Sequence, residues 1–334
     1  MKITTHPSSA TMKDVAIQAG VSTATVSRAF ADPEKVSAKT RQRVESAAHA
    51  LGYSFAPSFP RLTHQYWRTI LVLVADITDS FYSDIIRGIE IQARQLHCLI
   101  TLFDCAHQSV ESFMVHSRGG IENYNGIIFV GLSPVHHDPM PACAGVVINE
   151  YSSGHTFPTV HIDNLTAAFD AVQYLIQRGH QRIACLTGPE ELAICQYRRQ
   201  GYLQALQRHN IPLNPYYLAR GDFSFASGLA AIEHFLQLAT PPDAIFCHND
   251  KMALGVLHRA KQLGIVVPKQ LSIIGFDNIE ESQYADPPLT TISQPRKAQG
   301  EAAVSVLVAM IEGKNITHRS YLLETELILR QSTR

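Results

Sequence analysis

From Arg68 onward the chain repeats one unit: a short apolar run closed by an acid or amide, then an amphipathic stretch of helical period. RTILVLVAD, CLITLFD, NGIIFVG and AGVVIN have the unbroken apolar character of strands buried on both faces. HIDN, RIACLTG, YYLAR, AIFCHND and LSIIGFD continue the series. The spacing predicts helices over 81–96, 165–179, 196–210, 224–238 and 252–264. Strands alternating with helices require parallel sheets covered on both sides, a doubly wound α/β architecture. So many strands call for two such sheets, hence two subdomains. Crossings between them are expected near Leu165, Gln294 and Leu323, because the last helix and LLETELILR have to be shared out. The expected N-subdomain is 68–164 with 295–323, and the C-subdomain 165–294 with 324–334.

The first 56 residues follow a different rule. TMKDVAIQAG has a helix signal at each end: Thr11 as N-cap with Asp14 answering in a capping box, and Gly20 for the left-handed residue that closes it. Val15, Ala16 and Ala19 share a face. VSTATVSRAF follows, with Ser22 as N-cap and Val26, Ala29 and Phe30 as its apolar stripe. A turn that short, containing glycine, makes the two helices cross steeply, as in a helix-turn-helix. A third helix begins at Ser37, turns Val44, Ala47, Ala48 and Leu51 inward and is expected to stop at Gly52.

The second helix leaves Thr23, Ala24, Ser27 and Arg28 opposite its stripe. In a major groove, arginine can bond guanine and small side chains allow close approach. The hydroxyls of Thr11, Ser22, Thr25, Ser37 and Thr40 cluster at helix starts, where they and the free N–H groups can hold phosphates. Taken singly, each hydroxyl is equally an ordinary N-cap, and Arg28 a solvated charge.

Charge supports the collective reading. Residues 1–62 carry eight Lys/Arg against four acids, whereas the whole chain has a net charge of −1. A basic head on a mildly acidic body suits a small module facing a polyanion. The longest apolar runs fall far short of the ~20 residues of a membrane helix. The N-terminus lacks a secretory h-region, so a cytoplasmic, nucleoid-associated protein is expected. The six scattered cysteines form no C-x-x-C pair and fit buried thiols in a reducing compartment. His136-His137 and Cys247-His248 read as loop and core residues rather than metal ligands, and no metal or cofactor is expected. P-loop, G-x-S-x-G, H-E-x-x-H and G-x-G-x-x-G motifs are absent.

Ligands of open α/β sheets bind outside the carboxyl ends of strands. Here those ends read Asp76, Asp104, Asn149, Asp163, Asn249, Asp250 and Asp277, a polar ring around a cleft. Arg198 opens one helix, Phe81 and Tyr82 another, and Phe223 follows a strand. Two aromatic faces, several acceptors and one cation suit a flat base carrying hydroxyls. Each Asp alone could equally be a helix cap, and nucleoside or sugar remain open on the residues. A nucleoside-hydrolysing enzyme would need an N-terminal aspartate cluster, where this chain has a DNA-binding pattern.

The string TMKDVAIQAGVSTATVSRAF, with VSAKTRQRV and LGY after it, resembles the headpiece of the lactose/galactose-repressor (LacI/GalR) family. HIDN, YRRQG, ND-x-MALG and GFD resemble the family's cleft motifs and extend the likeness over the whole chain. The resemblance implies a periplasmic-binding-protein-like body, with Asp163, Arg198, Asn249 and Asp277 against the effector and Phe81, Tyr82 and Phe223 as apolar walls. FDCAHQ, TVHIDNLTAAFDAV, GPEE, ARGDF, LSIIGFDNI and DPPLTTI resemble members that answer to a nucleoside, cytidine. The implied partners are double-stranded operator DNA, a second copy in a homodimer, and the cyclic-AMP receptor protein on adjacent DNA.

Two departures stand out. Ala31 replaces the family's asparagine, removing one phosphate contact. In the linker, 57–67, Leu62 takes the place of the leucine that wedges into the minor groove. Pro57 and Pro60 fall in the segment that is a hinge helix elsewhere, and an interior proline costs ~3 kcal/mol of helix stability. A loosely tethered headpiece is expected, tolerant of half-site spacing. Operator binding that collapses when one or two base pairs are inserted between half-sites would count against it.

Overall fold

The computed structural model describes residues 11–31, 35–51, 53, 68–106, 124–132, 143–150 and 156–334. The chain divides into two compact units, 1–67 and 68–334. The expectations for the 57–67 linker with Leu62, for Gly52, for the Ala31 side chain and for His136-His137 lie outside the described residues.

In the first unit, α1 (Met12–Ala19), α2 (Thr23–Ala31) and α3 (Ala38–Ala50) surround a small core of Val15, Ala16, Ala19, Val26, Ala29, Val44, Ala47 and Ala48. The capping box at α1 is closed in both directions: the Asp14 amide donates to Thr11 Oγ1 at 3.3 Å, and the Thr11 amide to Asp14 Oδ2 at 2.8 Å. Gly20 ends α1 at φ +62°, and a Cβ there would lie 2.9 Å from Arg43 Nη2. That guanidinium donates to the Ala19 carbonyl at 2.6 Å, tying α3 to the end of α1.

The second unit holds two six-stranded sheets. In order, the first is β11 (Ser320–Leu323), β5 (Thr159–Ile162), β4 (Ala144–Ile148), β3 (Gly126–Val130), β1 (Arg68–Val74) and β2 (Cys98–Asp104), parallel throughout. The second is β12 (Glu326–Ile328), β10 (Thr290–Ser293), β9 (Ser272–Asp277), β8 (Ala244–Cys247), β6 (Ile183–Thr187) and β7 (Leu218–Arg220), with only β12 antiparallel. Among the described residues the unit's helices are α4 (Ser80–Gln95), α5 (Asn164–Gln177), α6 (Ala193–Arg208), α7 (Phe225–Leu236), α8 (Asp250–Gln262), the short α9 (Glu280–Tyr284) and α10 (Arg296–Ile311).

The chain passes between the halves three times. β5 belongs to the first sheet, whereas Ala167, Ala171 and Leu175 of the following α5 pack beneath Ile274 and Phe276 of the second. β10 lies in the second sheet, yet Val304 and Leu307 of α10 join Ile70, Val72 and Ile128 of the first. β11 and β12 then sit in different sheets, divided at Glu324 and Thr325. Gly88 and Gly300 bring α4 and α10 into backbone contact: a Cβ at Gly88 would lie 2.0 Å from the Lys297 carbonyl.

Two of the expected strands differ from expectation. CLITLFD is an edge strand, not a buried one, with Leu99 48% and Leu102 38% exposed, because β1 alone pairs with it. YYLAR opens in the 3-10 turn Pro215–Tyr217, leaving a three-residue strand, since Asn214 takes the amides of Tyr216 and Tyr217.

Candidate nucleic-acid interface and ligand cleft

On α2, Thr23, Ala24 and Arg28 are exposed and Thr25 and Ser27 half-buried, while Val26 and Ala29 face the core. The hydroxyls expected at phosphates serve first as caps. Ser22 Oγ accepts from the Thr25 amide at 3.1 Å, Ser37 Oγ from the Thr40 amide at 3.3 Å, and Thr11 Oγ1 donates to Asp14 at 2.6 Å. Each Ser–Thr pair shares one hydroxyl bond and keeps one proton for a phosphate oxygen, so the two uses are compatible there, whereas the Thr11 proton is taken by Asp14.

In the body, both sheets run in the order 2-1-3-4-5 within themselves, which puts a topological switch point at β1/β3 and another at β6/β8. Phe81 and Tyr82 open the helix after β1. Arg198 lies on the helix after β6, and Asn249 caps the helix after β8.

Arg198 is the centre of the second half's contribution. It is 3% exposed, and its guanidinium stacks 3.7 Å above the Phe276 ring. Nε donates to Asn164 Oδ1 at 2.8 Å, Nη1 donates to the His248 carbonyl, and Nη1 stands 3.9 Å from Asp277 Oδ1. Asp277 also receives Gln294 Nε2 at 2.7 Å, and its carbonyl accepts from Arg296. Asp277 and Asn278 sit at φ +119° and +55°, a strained pair held by Arg296 and by Arg330, which donates to Asn278 Oδ1 at 2.6 Å.

Burial raises the Asp277 carboxyl to about 7 against the pull of Arg198 and Arg296. Asp250, wholly buried, is raised to about 8 by desolvation and then by Asp277, although it accepts the Thr291 hydroxyl at 2.6 Å and the Ile279 amide at 3.0 Å. His248 is fully buried and pushed well below its ordinary pKa by burial and by Arg198 and Arg199. It is therefore neutral, and its Nδ1 accepts from the Gly188 amide at 3.3 Å.

Asn249 Oδ1 accepts from the Met252 amide, and its Nδ2 donates to the Phe223 carbonyl, each at 3.0 Å. Phe223 has φ +69°, and its ring fills the space above Gly188, where a Cβ would fall 2.4 Å from it. From the first half, Phe81 and Tyr82 meet edge to face at 5.1 Å, and the Arg296 guanidinium lies 5.8 Å over Phe81. Burial, then the carboxylates of Asp79, Asp277 and Glu150, push the Tyr82 hydroxyl far above its ordinary pKa. That places Tyr82 in the same electrostatic field as Asp277.

Arg198 and Asp277 thus face one another, Asn249 and Phe223 are bonded, and Tyr82 senses Asp277. Asp163 is placed differently. It is exposed and caps α5, accepting from the Thr166 amide at 3.0 Å and hydroxyl at 2.7 Å, while its neighbour Asn164 takes Arg198. Asn164, Gln294 and Arg296 join this network beside Asp250 without having been singled out as ligand residues, although HIDN contains the first. A cavity of about 410 Å³, lined in part by Asp84, Asn278, Gln294 and Arg296, opens at the second crossing. Among the described residues, no three His, Cys, Asp or Glu side chains are grouped to hold a metal ion, and no helix is long and apolar enough to cross a membrane.

Residues 11–55 match the model of bacterial regulatory proteins of the lacI family, and residues 172–333 that of a periplasmic binding protein-like domain. The chain is 48% identical over 340 residues to the HTH-type transcriptional repressor CytR of Escherichia coli (strain K12), covering 100% of this chain and 99% of the relative. Among solved structures it is similar to a transcriptional regulator CelR-cellobiose complex, at 27% identity and TM-score 0.73, covering 97% of this chain and 99% of that one. The lac repressor dimer bound to operator and the anti-inducer ONPF is similar at 26% identity and TM-score 0.72, with the same coverage. On these likenesses the chain belongs to the lacI family of bacterial regulatory proteins, as a DNA-binding transcription repressor.

Proposed function

We propose that the protein is a homodimeric repressor of nucleoside uptake and catabolism genes, released from its operator by a nucleoside, cytidine, bound between the two halves of the body. The observation that carries this reading is that Arg296 lies over the Phe81 ring of the first half and donates to the carbonyl of Asp277, the buried partner of Arg198 in the second. A pyrimidine fits between aromatic faces, and a carboxyl and a guanidinium suit ribose hydroxyls. The full-length likeness to the CytR repressor supports it. Effector and operator then couple reciprocally, and a typical coupling of ~1–3 kcal/mol corresponds to a shift of about 5- to 150-fold. A further element, resting on resemblance alone, is repression through contact with the cyclic-AMP receptor protein on neighbouring DNA, broken by cytidine. Operator binding measured with and without that protein tests it.

The same donors and acceptors would also hold a sugar, and the similar regulator bound to cellobiose favours keeping that second reading. Parallel isothermal titration with cytidine, uridine, adenosine and ribose decides between them. Saturable cytidine binding that weakens operator affinity supports the nucleoside reading. A response to ribose alone keeps the repressor and overturns the effector.

A further inference from the structure

The N-terminus of α8 carries three consecutive polar residues with three separate tasks. Asn249 bonds the Phe223 backbone, Asp250 anchors the Ile279 amide and the Thr291 hydroxyl, and Lys251 reaches out of its own half altogether. Its Nζ donates to Asp79 Oδ2 at 3.0 Å, joining the first turn of α8 to the N-terminus of α4. The Asp79 carboxylate is held from the other side, because Oδ1 accepts the Phe81 amide at 3.0 Å. One carboxylate therefore caps the helix that carries the aromatic wall and receives a cation from the opposite half. Next to it Ser80 Oγ donates to Glu281 Oε2 at 3.2 Å, a second bond from α4 to the other half.

We infer that Lys251 and Asp79 are positioning residues that form a latch across the cleft mouth, made when the two halves are together and lost when they part. The latch rests on the reading of the cleft as the effector site for its consequence, though not for its existence. With the side chains 37% and 19% exposed, the pair is shielded enough to count and close enough to water for both ions to be solvated once it opens. Because Asn249 caps the helix that carries Lys251 in its first turn, a ligand that draws Asn249 toward the first half also presents the ammonium to Asp79. Closing the latch in turn fixes Phe81 and Tyr82 over the bound ligand and slows its departure.

The test uses the full-length protein with Lys251→Met, Asp79→Asn, the double variant and Lys251→Arg. Asparagine keeps the capping oxygen and removes only the charge. Hydrogen exchange of the ligand-free proteins is read at 79–86 and 249–254, with 127–130 in the core of the first sheet as a check that the fold is intact. The expected result is several-fold faster exchange at both mouth segments in each single variant, no further gain in the double variant, and wild-type protection in Lys251→Arg. Single variants that exchange like the wild type, or a double variant whose effects simply multiply, overturn the latch. Cytidine dissociation followed on the same proteins should accelerate several-fold in the singles without compounding in the double. A wild type that does not bind cytidine but gives the expected exchange pattern removes the effector assignment and leaves the latch standing.

Discussion

Arg198 and Asp277 stand 3.9 Å apart with side chains only 4% and 8% exposed, and the arginine is committed to more than its ion pair. It also holds Asn164 and the His248 carbonyl while stacking on Phe276. Removing it takes the nearby cation from the buried Asp277 carboxyl and the donor from Asn164 Oδ1 and the His248 carbonyl. Arg198→Ala should therefore lose effector binding and also destabilise the body by ~3–5 kcal/mol, the range for breaking a buried pair. Arg198→Lys keeps the charge and loses the planar fork, so it should retain more stability than the alanine variant and still bind effector poorly. Thermal unfolding alongside effector titration checks both. An alanine variant with wild-type stability would show that the buried network is not held by this residue.

Arg28 is exposed on α2 between Thr23 and Ala24 on one side and the buried Ala29 on the other. Arg28→Ala should weaken operator binding by ~1–3 kcal/mol and relax preference at one base pair per half-site, without moving effector affinity. Fluorescence anisotropy against operators substituted singly at each position reads this out. Uniform weakening at every sequence, with a shallower salt dependence, would instead make Arg28 a phosphate contact.

Gly188 is the floor beneath the Phe223 ring. A Cβ there would fall 2.4 Å from the ring and 2.8 Å from Cys195 Sγ, so alanine must push the aromatic wall into the cleft. Overpacking of this kind costs ~1–3 kcal/mol. Effector affinity in Gly188→Ala should fall about tenfold or more, with operator affinity in the absence of effector unchanged. Titration of both ligands on one preparation decides it, and unchanged effector affinity would remove Phe223 from the site.

Most strands were legible because each is an apolar run, several of them ending in Asp or Asn, whereas TTIS of β10 has one aliphatic residue and carries no such signal. The three crossings were legible because α10 and LLETELILR exceeded what one half could hold. CLITLFD misled for a physical reason: Leu99 and Leu102 are as apolar as any core strand, and nothing local tells an edge from a centre. Within the cleft, Arg198 and Asp277 stood out by type and place, whereas Asp163 and Asn164 are adjacent letters whose tasks depend on which one the helix takes as its cap. The Lys251–Asp79 pair spans 172 residues between two halves and leaves no local trace in the sequence.

Asp250 and Asp277 give the body an unusual response to pH. Desolvation raises the first to about 8 and the second to about 7 from 3.8. Both are protonated in the folded state at pH values where the unfolded chain has ionised them, so folding takes up protons between about pH 4 and the folded values. Their contribution is full below about pH 4 and is lost as pH rises through 7 and 8. The ligand-free protein should therefore melt at progressively lower temperature from pH 6 to 9, by about 2–4 °C for each kcal/mol lost. Other groups add slopes of their own, so the readout is the difference from Asp250→Asn. That variant gives up one of the two hydrogen bonds its carboxyl accepts and should be less stable at pH 6 by ~1–3 kcal/mol. Its melting temperature should nevertheless fall less steeply than the wild type's as the pH is raised. A variant whose slope parallels the wild type's from pH 6 to 9 would mean that Asp250 is already ionised within the folded protein, held by Thr291 and the Ile279 amide alone.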